Sequence, residues 1–200
     1  LNLVLSENGC DSIAYKLFQQ TAYPSWLYPV LQGATTIWER WNSYTIKNGF
    51  GPVGMNSFNH YSYGAVQEWM MEYSAGIQRD EKSPAYKHFY LQPRVGGRFN
   101  HIHASYDSMY GQISSSWESD YRNPDIDDAS KFGYTYKAIV PANTTATLRL
   151  HIPDNGKLKI IKGKKGIFGH QLNANNAQFE LGSGEYELKV ILSKSSVSSK

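Results

Sequence analysis

The chain has little cysteine, little net charge and no long apolar run. It contains one cysteine, Cys10, among 200 residues, so an internal disulfide framework is excluded. Its formal net charge of +3 is too small to indicate a nucleic-acid partner. Its longest apolar runs are far shorter than the roughly 20 residues that a membrane-spanning helix needs. The sequence therefore predicts no membrane span and no nucleic-acid partner.

The start of the chain carries no signal-peptide pattern, because no basic segment precedes an apolar one. The first residue is Leu1, and "LNLVLSENG" begins like a helix without a capping residue. We therefore expect the chain to continue an upstream part of the same polypeptide. Its location, whether periplasmic, secreted or cytoplasmic, stays open.

Aromatic residues, in contrast, are abundant. The 15 Tyr, 8 Phe and 5 Trp make up 14% of the chain. Tyrosine and tryptophan combine an apolar ring with a polar tip, which suits sugars and protein partners. They also fill ordinary cores, and composition alone does not separate these uses.

The first part of the chain, residues 1–78, has helical periodicity. One helix is expected to end at Gly9, and a second is expected to be capped by Asp11 or Ser12. A long helix is predicted from Asn56 or Ser57 to about Ile77. The glycine-rich stretch "NSYTIKNGFGPVG" before it is predicted to be a loop, a favoured location for functional residues.

From about residue 84 the hydrophobic period changes from 3.6 to 2. Short alternating runs such as "YKHFYLQP", "FGYTYKAIVP" and "YELKVIL" are separated by turn signals, which is typical of an antiparallel β-sandwich. We assign this sandwich to residues 79–193. The polar tail, residues 194–200, is predicted to be disordered.

The stretch "ATTIWERWNS" places one carboxylate, Glu39, between Trp38 and Trp41. One interpretation is a turn of amphipathic helix in which Glu39 faces water. The other is a carboxylate in an aromatic pocket, where desolvation raises its pKa and suits acid–base chemistry. The residues alone leave both open.

Polar side chains also cluster in "FNHYSYG", just after the glycine-rich loop. Asn56, Asn59 and His60 can hydrogen-bond the hydroxyl groups of a ligand, although a histidine at such a place more often caps or fills a helix. His101 and His103 have the spacing of two metal ligands on a strand, but no third ligand stands out, so no metal site is predicted. The five lysines between residues 157 and 165 favour a solvated face or a protected edge strand.

Four ordered segments resemble the bacterial α-L-rhamnosidases of glycoside hydrolase family 78. They are "LSENGCDSIAYKLFQQTAYPSWLYPVLQGATTIWERWNS", "MNSFNHYSYGAVQEWMMEYSAGI", "YKHFYLQPRVGG" and "ASYDSMYGQISSSWE". The resemblance implies the last helices of an (α/α)6 catalytic barrel followed by a C-terminal antiparallel β-sandwich. It also implies an enzyme that hydrolyses terminal α-L-rhamnose with inversion, without a cofactor.

The resemblance assigns roles to individual residues. Glu39 corresponds to the general base and His60 to a sugar-binding residue. Trp38 or Trp41 is expected to line the rhamnose subsite, partly against the C6 methyl group, with Asn59 as a further contact. The family often continues "ERWD", whereas position 42 is Asn here, so this neighbour carries no carboxylate.

The general acid of the family lies upstream of the matched segments, so we expect these 200 residues alone to be inactive. Two alternatives stay open. The chain can be a non-catalytic sugar-binding β-sandwich with helical support, or part of a related barrel enzyme that acts on another sugar.

Overall fold

A computed structural model of the chain describes residues 1–120, 129–173 and 175–192. The predicted disordered tail, residues 194–200, lies outside the described residues. The chain divides into two compact units, an N-terminal unit (Leu1–Met70) and a C-terminal unit (Met71–Lys200). This division precedes the boundary predicted between residues 78 and 79, and a strand of the C-terminal unit, Ile77–Arg79, spans that predicted boundary.

The N-terminal unit consists of short helices and a small hairpin. Its elements are α1 (Asn2–Glu7), α2 (Asp11–Gln19), α3 (Leu27–Leu31), β1 (Tyr44–Thr45), β2 (Gly49–Phe50), a 3-10 turn (Ser62–Ala65) and α4 (Val66–Trp69). The prediction that Gly9 ends the first helix is confirmed. Gly9 has a φ of +73°, its N–H bonds the carbonyl of Ser6, and the N–H of Cys10 bonds the carbonyl of Leu5. These two bonds form a Schellman C-cap, which favours glycine.

Two predicted helix starts are wrong. The second helix begins at Asp11 with Cys10 at its N-cap, and no side chain caps it. The long helix predicted from Asn56 begins only at Ser62, and it changes from 3-10 to α and then to a π-helix over Met70–Ser74. The backbone of residues 57–60 instead bonds residues 37–39, as described below, and is not available for helical hydrogen bonds.

Buried aromatic contacts hold α1, α2 and α4 together. The Trp69 ring is almost fully buried, and its Nε1–H donates to Ser6 Oγ over 2.9 Å. The rings of Tyr15 and Phe18 lie 5.1 and 5.5 Å from it. Because the indole N–H is paired, this tryptophan is buried without an unsatisfied donor.

The C-terminal unit contains two five-stranded sheets. Its elements are β3 (Ile77–Arg79), a 3-10 turn (Pro84–Tyr86), β4 (His88–Leu91), β5 (His101–Ser108), β6 (Gly111–Ser119), a 3-10 turn (Ala129–Lys131), β7 (Tyr134–Val140), β8 (Thr145–His151), β9 (Gly156–Lys162), a 3-10 turn (Lys164–Gly166), β10 (Ile167–Leu172), β11 (Asn176–Leu181) and β12 (Gly184–Leu192). The strand orders are β10-β11-β8-β4-β3 and β5-β6-β7-β12-β9. Every described strand pair is antiparallel except β4–β8, which is parallel.

The core of this unit is formed by inward-facing residues of both sheets, which confirms the predicted sandwich. In β7 the buried residues alternate with more exposed ones, as expected for a strand with one face toward a core. The largest fully buried side chains of this core are Trp117, Tyr134, Tyr136, Phe89, Leu91, Ile113, Leu148, Leu150, Leu181 and Leu188. The lysine-rich β9 is an edge strand, as its composition indicated.

Candidate functional site

Two loop segments that the sequence singled out lie side by side in the N-terminal unit. The N–H of Glu39 donates to the carbonyl of Ser57 over 2.9 Å, and the N–H of His60 donates to the carbonyl of Ile37 over 2.8 Å. The Thr36 hydroxyl donates to the carbonyl of Phe58. These bonds join residues 36–39 to residues 57–60. They bring the predicted catalytic carboxylate and the predicted sugar-binding histidine onto adjacent backbone.

The Glu39 side chain is held by the same partner as its backbone. The N–H of Ser57 donates to Glu39 Oε2 over 2.8 Å. The side chain is half-buried, and within the described part of the chain nothing hydrogen-bonds its Oε1. Residues 35–41 are not helical, so the amphipathic-helix interpretation is wrong. A carboxylate fixed through one oxygen leaves the other to accept a proton.

The neighbouring Arg40 does not pair with Glu39. Its Nη2 donates to the carbonyl of Pro52 over 3.3 Å, and its backbone N–H donates to Ser43 Oγ over 3.2 Å. Asn56 also serves this loop, because its side-chain amide donates to the carbonyls of Ser43 and Gly51. Both residues therefore fasten the glycine-rich loop, and Asn56 is not a free ligand contact.

The two tryptophans of the motif pack into separate aromatic contacts. Trp38 is 7% exposed and lies edge-on to Phe58, with ring centroids 5.2 Å apart. Trp41 stacks on Tyr63 at 5.0 Å and an interplanar angle of 20°. Trp26 meets both Trp41 and Tyr63 edge-on. The rings are thus fixed by one another.

These rings line a pocket of about 310 Å³. Its walls are Trp26, Pro29, Val30, Ala34, Thr35, Thr36, Ile37, Trp38, Trp41 and Tyr63. Neither Glu39 nor His60 is among its lining residues in the fully described N-terminal unit. Trp38 and Trp41 therefore form an apolar pocket, and the polar side chains of the motif are not part of its wall.

The hydrogen bonds of His60 define its tautomer. The N–H of Ser62 donates to His60 Nδ1 over 3.2 Å, so Nδ1 is an acceptor and the ring proton of the neutral form is on Nε2. The ring stacks on Tyr61 at 5.3 Å and an interplanar angle of 8°. The side-chain amide of the exposed Asn59 makes no hydrogen bond within the described part of the chain. Both side chains can donate to a hydroxyl group.

Sequence reasoning missed Ser57, Thr36, Trp26 and Tyr63. The first contributes its backbone N–H, a group that every non-proline residue has, so no residue type marks it. Trp26 and Tyr63 are distant in sequence from the motif, and only the fold brings them to Trp41.

The other sequence candidates do not assemble into a site of this kind. His101 Nδ1 lies 2.7 Å from Asn100 Oδ1, and no group of three or more His, Cys, Asp or Glu able to hold a metal occurs among the described residues. In the described ranges, no helix combines the length and apolar character needed to cross a membrane.

Two protein families match consecutive parts of the chain. Residues 1–74 match the bacterial alpha-L-rhamnosidase 6 hairpin glycosidase domain, and residues 76–167 match the bacterial alpha-L-rhamnosidase C-terminal domain. An alpha-L-rhamnosidase of Formosa agariphila is 40% identical over 160 residues, which are 80% of this chain and 16% of that protein.

Solved structures give the same relationship. Streptomyces avermitilis alpha-L-rhamnosidase complexed with L-rhamnose matches with a TM-score of 0.75 at 35% identity, over 94% of this chain and 17% of that one. Native alpha-L-rhamnosidase from Aspergillus terreus matches with a TM-score of 0.72 at 30% identity, over 94% of this chain and 18% of that one. The chain thus spans less than a fifth of the length of these relatives. The two matched domains, in this order, and the structural likeness over nearly all of its length show that the chain belongs to the bacterial α-L-rhamnosidase family.

Proposed function

We propose that the chain forms the C-terminal part of an inverting α-L-rhamnosidase that removes terminal α-L-rhamnose from glycosides. The N-terminal unit, Leu1–Met70, then supplies the last helices of an (α/α)6 catalytic barrel, and the strands from Ile77 to Leu192 supply the sandwich. The observation that carries the proposal is the reciprocal pairing of Glu39 with Ser57, which holds a carboxylate beside the segment of His60. The similarity to an α-L-rhamnosidase crystallised with L-rhamnose supports it.

In this proposal Glu39 is the general base. Its Oε1 takes a proton from water, the water oxygen bonds the anomeric carbon, and the glycosidic bond breaks on the opposite side of that carbon. A second carboxyl group protonates the departing oxygen. An inverting glycosidase holds its two carboxyl groups roughly 6.5–9.5 Å apart so that the water fits. We place this acid in the part of the enzyme upstream of residue 1.

The remaining site residues bind the sugar. His60 Nε2–H and the Asn59 amide donate to rhamnose hydroxyl groups. The apolar pocket of Trp38 and Trp41 contacts the C6 methyl group, the apolar feature of a 6-deoxy sugar. Because hydroxyl contacts and a methyl pocket recognise opposite ends of the ring, together they orient the anomeric carbon toward Glu39.

The proposal predicts that the 200-residue chain alone has no rhamnosidase activity, because the general acid is not in it. The test is hydrolysis of an aryl α-L-rhamnoside by the purified chain, with Glu39→Gln as the matched variant. No turnover by either protein is expected. Turnover by the chain that Glu39→Gln abolishes would place the complete site within these residues and contradict the proposal.

A further inference from the structure

The outer face of the sheet β5-β6-β7-β12-β9 carries a trough of about 740 Å³. The trough lies entirely in the C-terminal unit. Its position differs from the site proposed for catalysis, and the family resemblance assigns it no role.

The trough exists because small side chains stand between large ones. Ser116 on β6 is paired with His103 on β5 and with Lys137 on β7. Ser114, two residues earlier on the same face, is paired with Ile139. Side chains at alternate positions of a strand share one face. The serines of β6 thus form the bottom of the trough. The histidines of β5 line one side of it, and the longer side chains of β7, such as Lys137 and Ile139, line the other.

The charges of the trough nearly balance. Three carboxylates line it, from Glu118, Glu185 and Glu187, and two ammonium groups line it, from Lys137 and Lys162. Lys162 Nζ is 2.5 Å from Glu185 Oε2, so one pair is already neutralised. A polyanion such as a nucleic acid or an acidic glycan meets more carboxylates than ammonium groups here, which disfavours it.

The remaining groups suit a ligand rich in hydroxyl groups. Carboxylates accept hydrogen bonds, ammonium groups donate them, and the serine hydroxyls do both. His101 Nδ1 lies 2.7 Å from Asn100 Oδ1, and this contact orients the His101 ring. Ile139 is 38% exposed and places one apolar side chain among these polar groups.

We propose that this trough is a second, non-catalytic binding site for a neutral oligosaccharide that contains a deoxyhexose. Sugar hydroxyls bond the serines and the charged rim, and the methyl group of the deoxy sugar contacts Ile139. The identity of the sugar rests on the function proposed above. The existence of the site rests on the trough alone.

The experiment is an NMR titration of the full 200-residue chain with rutinose, a neutral disaccharide that carries α-L-rhamnose. Shifts of amide signals from β5, β6 and β7 are expected. Ser116→Trp fills the bottom of the trough and is expected to weaken binding by at least about tenfold. Gln112→Trp is the matched control, because Gln112 lies on the same face of β6 but does not line the trough. The affinity of this variant for rutinose is expected to be unchanged.

A second pair of variants covers the case in which Ser116→Trp does not fold. Lys137→Ala and Glu187→Gln remove one donor and one charged acceptor without adding volume, and each is expected to weaken rutinose binding. Unchanged binding in all variants that fold, or no binding of rutinose, overturns the proposal. Tighter binding of digalacturonic acid than of rutinose overturns the choice of a neutral ligand.

The double variant Trp38→Ala/His60→Ala separates the two proposed sites. We expect the double variant to bind rutinose still, because its trough is intact. Binding that is lost in it but retained in Ser116→Trp overturns the trough and supports the proposed function. Binding lost only in the trough variants supports the trough whether or not Glu39 is a catalytic base.

Discussion

Glu39 and Ser57 are joined by two hydrogen bonds that run in opposite directions. The Ser57 N–H donates to Glu39 Oε2 over 2.8 Å, and the Glu39 N–H donates to the Ser57 carbonyl over 2.9 Å. A charged acceptor strengthens the first bond relative to a neutral one. The carboxylate is therefore positioned by backbone, and its orientation does not depend on the conformation of another side chain.

Removal of the Glu39 carboxylate should expose the Ser57 amide to solvent exchange. In Glu39→Ala the amide loses its acceptor, so its hydrogen exchange should be faster than in the unmodified chain. Glu39→Gln keeps a side-chain carbonyl oxygen at this place and should show a smaller change. NMR-detected exchange of the Ser57 amide is the measurement. Equal exchange rates in all three proteins would show that this bond is not formed in solution.

The link between the two loop segments gives a second prediction. Thr36→Val removes the hydroxyl that donates to the carbonyl of Phe58 but keeps the shape of the side chain. The amides of Glu39 and His60 belong to the same bridge and should both exchange faster. Thr35→Val is the matched control, since the Thr35 side chain has no hydrogen bond among the described residues. Faster exchange in Thr35→Val but not in Thr36→Val would contradict the assignment.

The sandwich core depends on Trp117. Its ring is 2% exposed, and its Nε1–H donates to the carbonyl of Ser74 over 2.8 Å. Trp117→Phe leaves that carbonyl without its donor and opens space, so we expect the free energy of unfolding of the C-terminal unit to fall by about 1–3 kcal/mol. Urea unfolding measures it. Ser116→Ala, on the opposite face of β6, should change stability by less than about 0.5 kcal/mol.

Two buried tyrosines should make the fold sensitive to alkali. Burial raises the pKa of Tyr134 and of Tyr136 well above the ordinary value of 10.0. A group whose pKa is raised on folding stabilises the fold fully below its unfolded pKa. Stability should therefore decline as pH rises above 10.0, by about 1.4 kcal/mol per pH unit for each tyrosine.

Measuring the free energy of unfolding at a series of pH values on both sides of 10.0 tests this prediction. Tyr136→Phe removes one of the two ionising groups, so it should halve the decrease in that free energy per pH unit. Tyrosinate absorbance should show both groups ionising only on unfolding. A folded protein in which every tyrosine ionises near pH 10 would contradict the buried positions.

The Lys162–Glu185 pair should control one carboxyl group at the rim of the trough. The hydrogen bond from Lys162 lowers the pKa of Glu185 below its ordinary value of 4.5. Lys162→Ala should return that pKa toward 4.5. Lys159 lies on the same strand but is opposite Lys189 in the sheet, so Lys159→Ala should leave the pKa of Glu185 unchanged. Carboxyl-carbon NMR reports each titration. The pair stabilises the fold above pH 4.5 and stops doing so as pH falls through the lowered pKa, with a small effect because both side chains are exposed.

The sequence predicted the strands better than the helices for a physical reason. In β7, the alternation of buried and more exposed residues reflects burial on one face, which a short segment shows by itself. The segment from Asn56 or Ser57 to about Ile77 was predicted to be one helix, but the backbone of residues 57–60 is bonded to residues 37–39. Such pairing between distant segments leaves no local signal.

The end of that predicted helix was misplaced for a different reason. Gly76 has a φ of +82°, and a Cβ there would lie 2.2 Å from the nitrogen of Pro93. The chain therefore turns at a glycine that no other residue can replace, and Ile77 enters β3. A close approach between positions 76 and 93 is not visible in the periodicity. The parallel pairing of β4 with β8 is likewise a property of the whole sheet.

The role proposed for Glu39 is that of the general base in an inverting α-L-rhamnosidase. The direct measurement replaces the matching segment of the Streptomyces avermitilis enzyme with this chain, which is 35% identical to it over 189 residues, and follows hydrolysis of an aryl α-L-rhamnoside by NMR. We expect that β-L-rhamnose appears first and that Glu39→Gln lowers kcat by at least about 10³-fold while the protein remains folded and binds rhamnose. Release of α-L-rhamnose first, or a Glu39→Gln chimera as active as its parent, would contradict it.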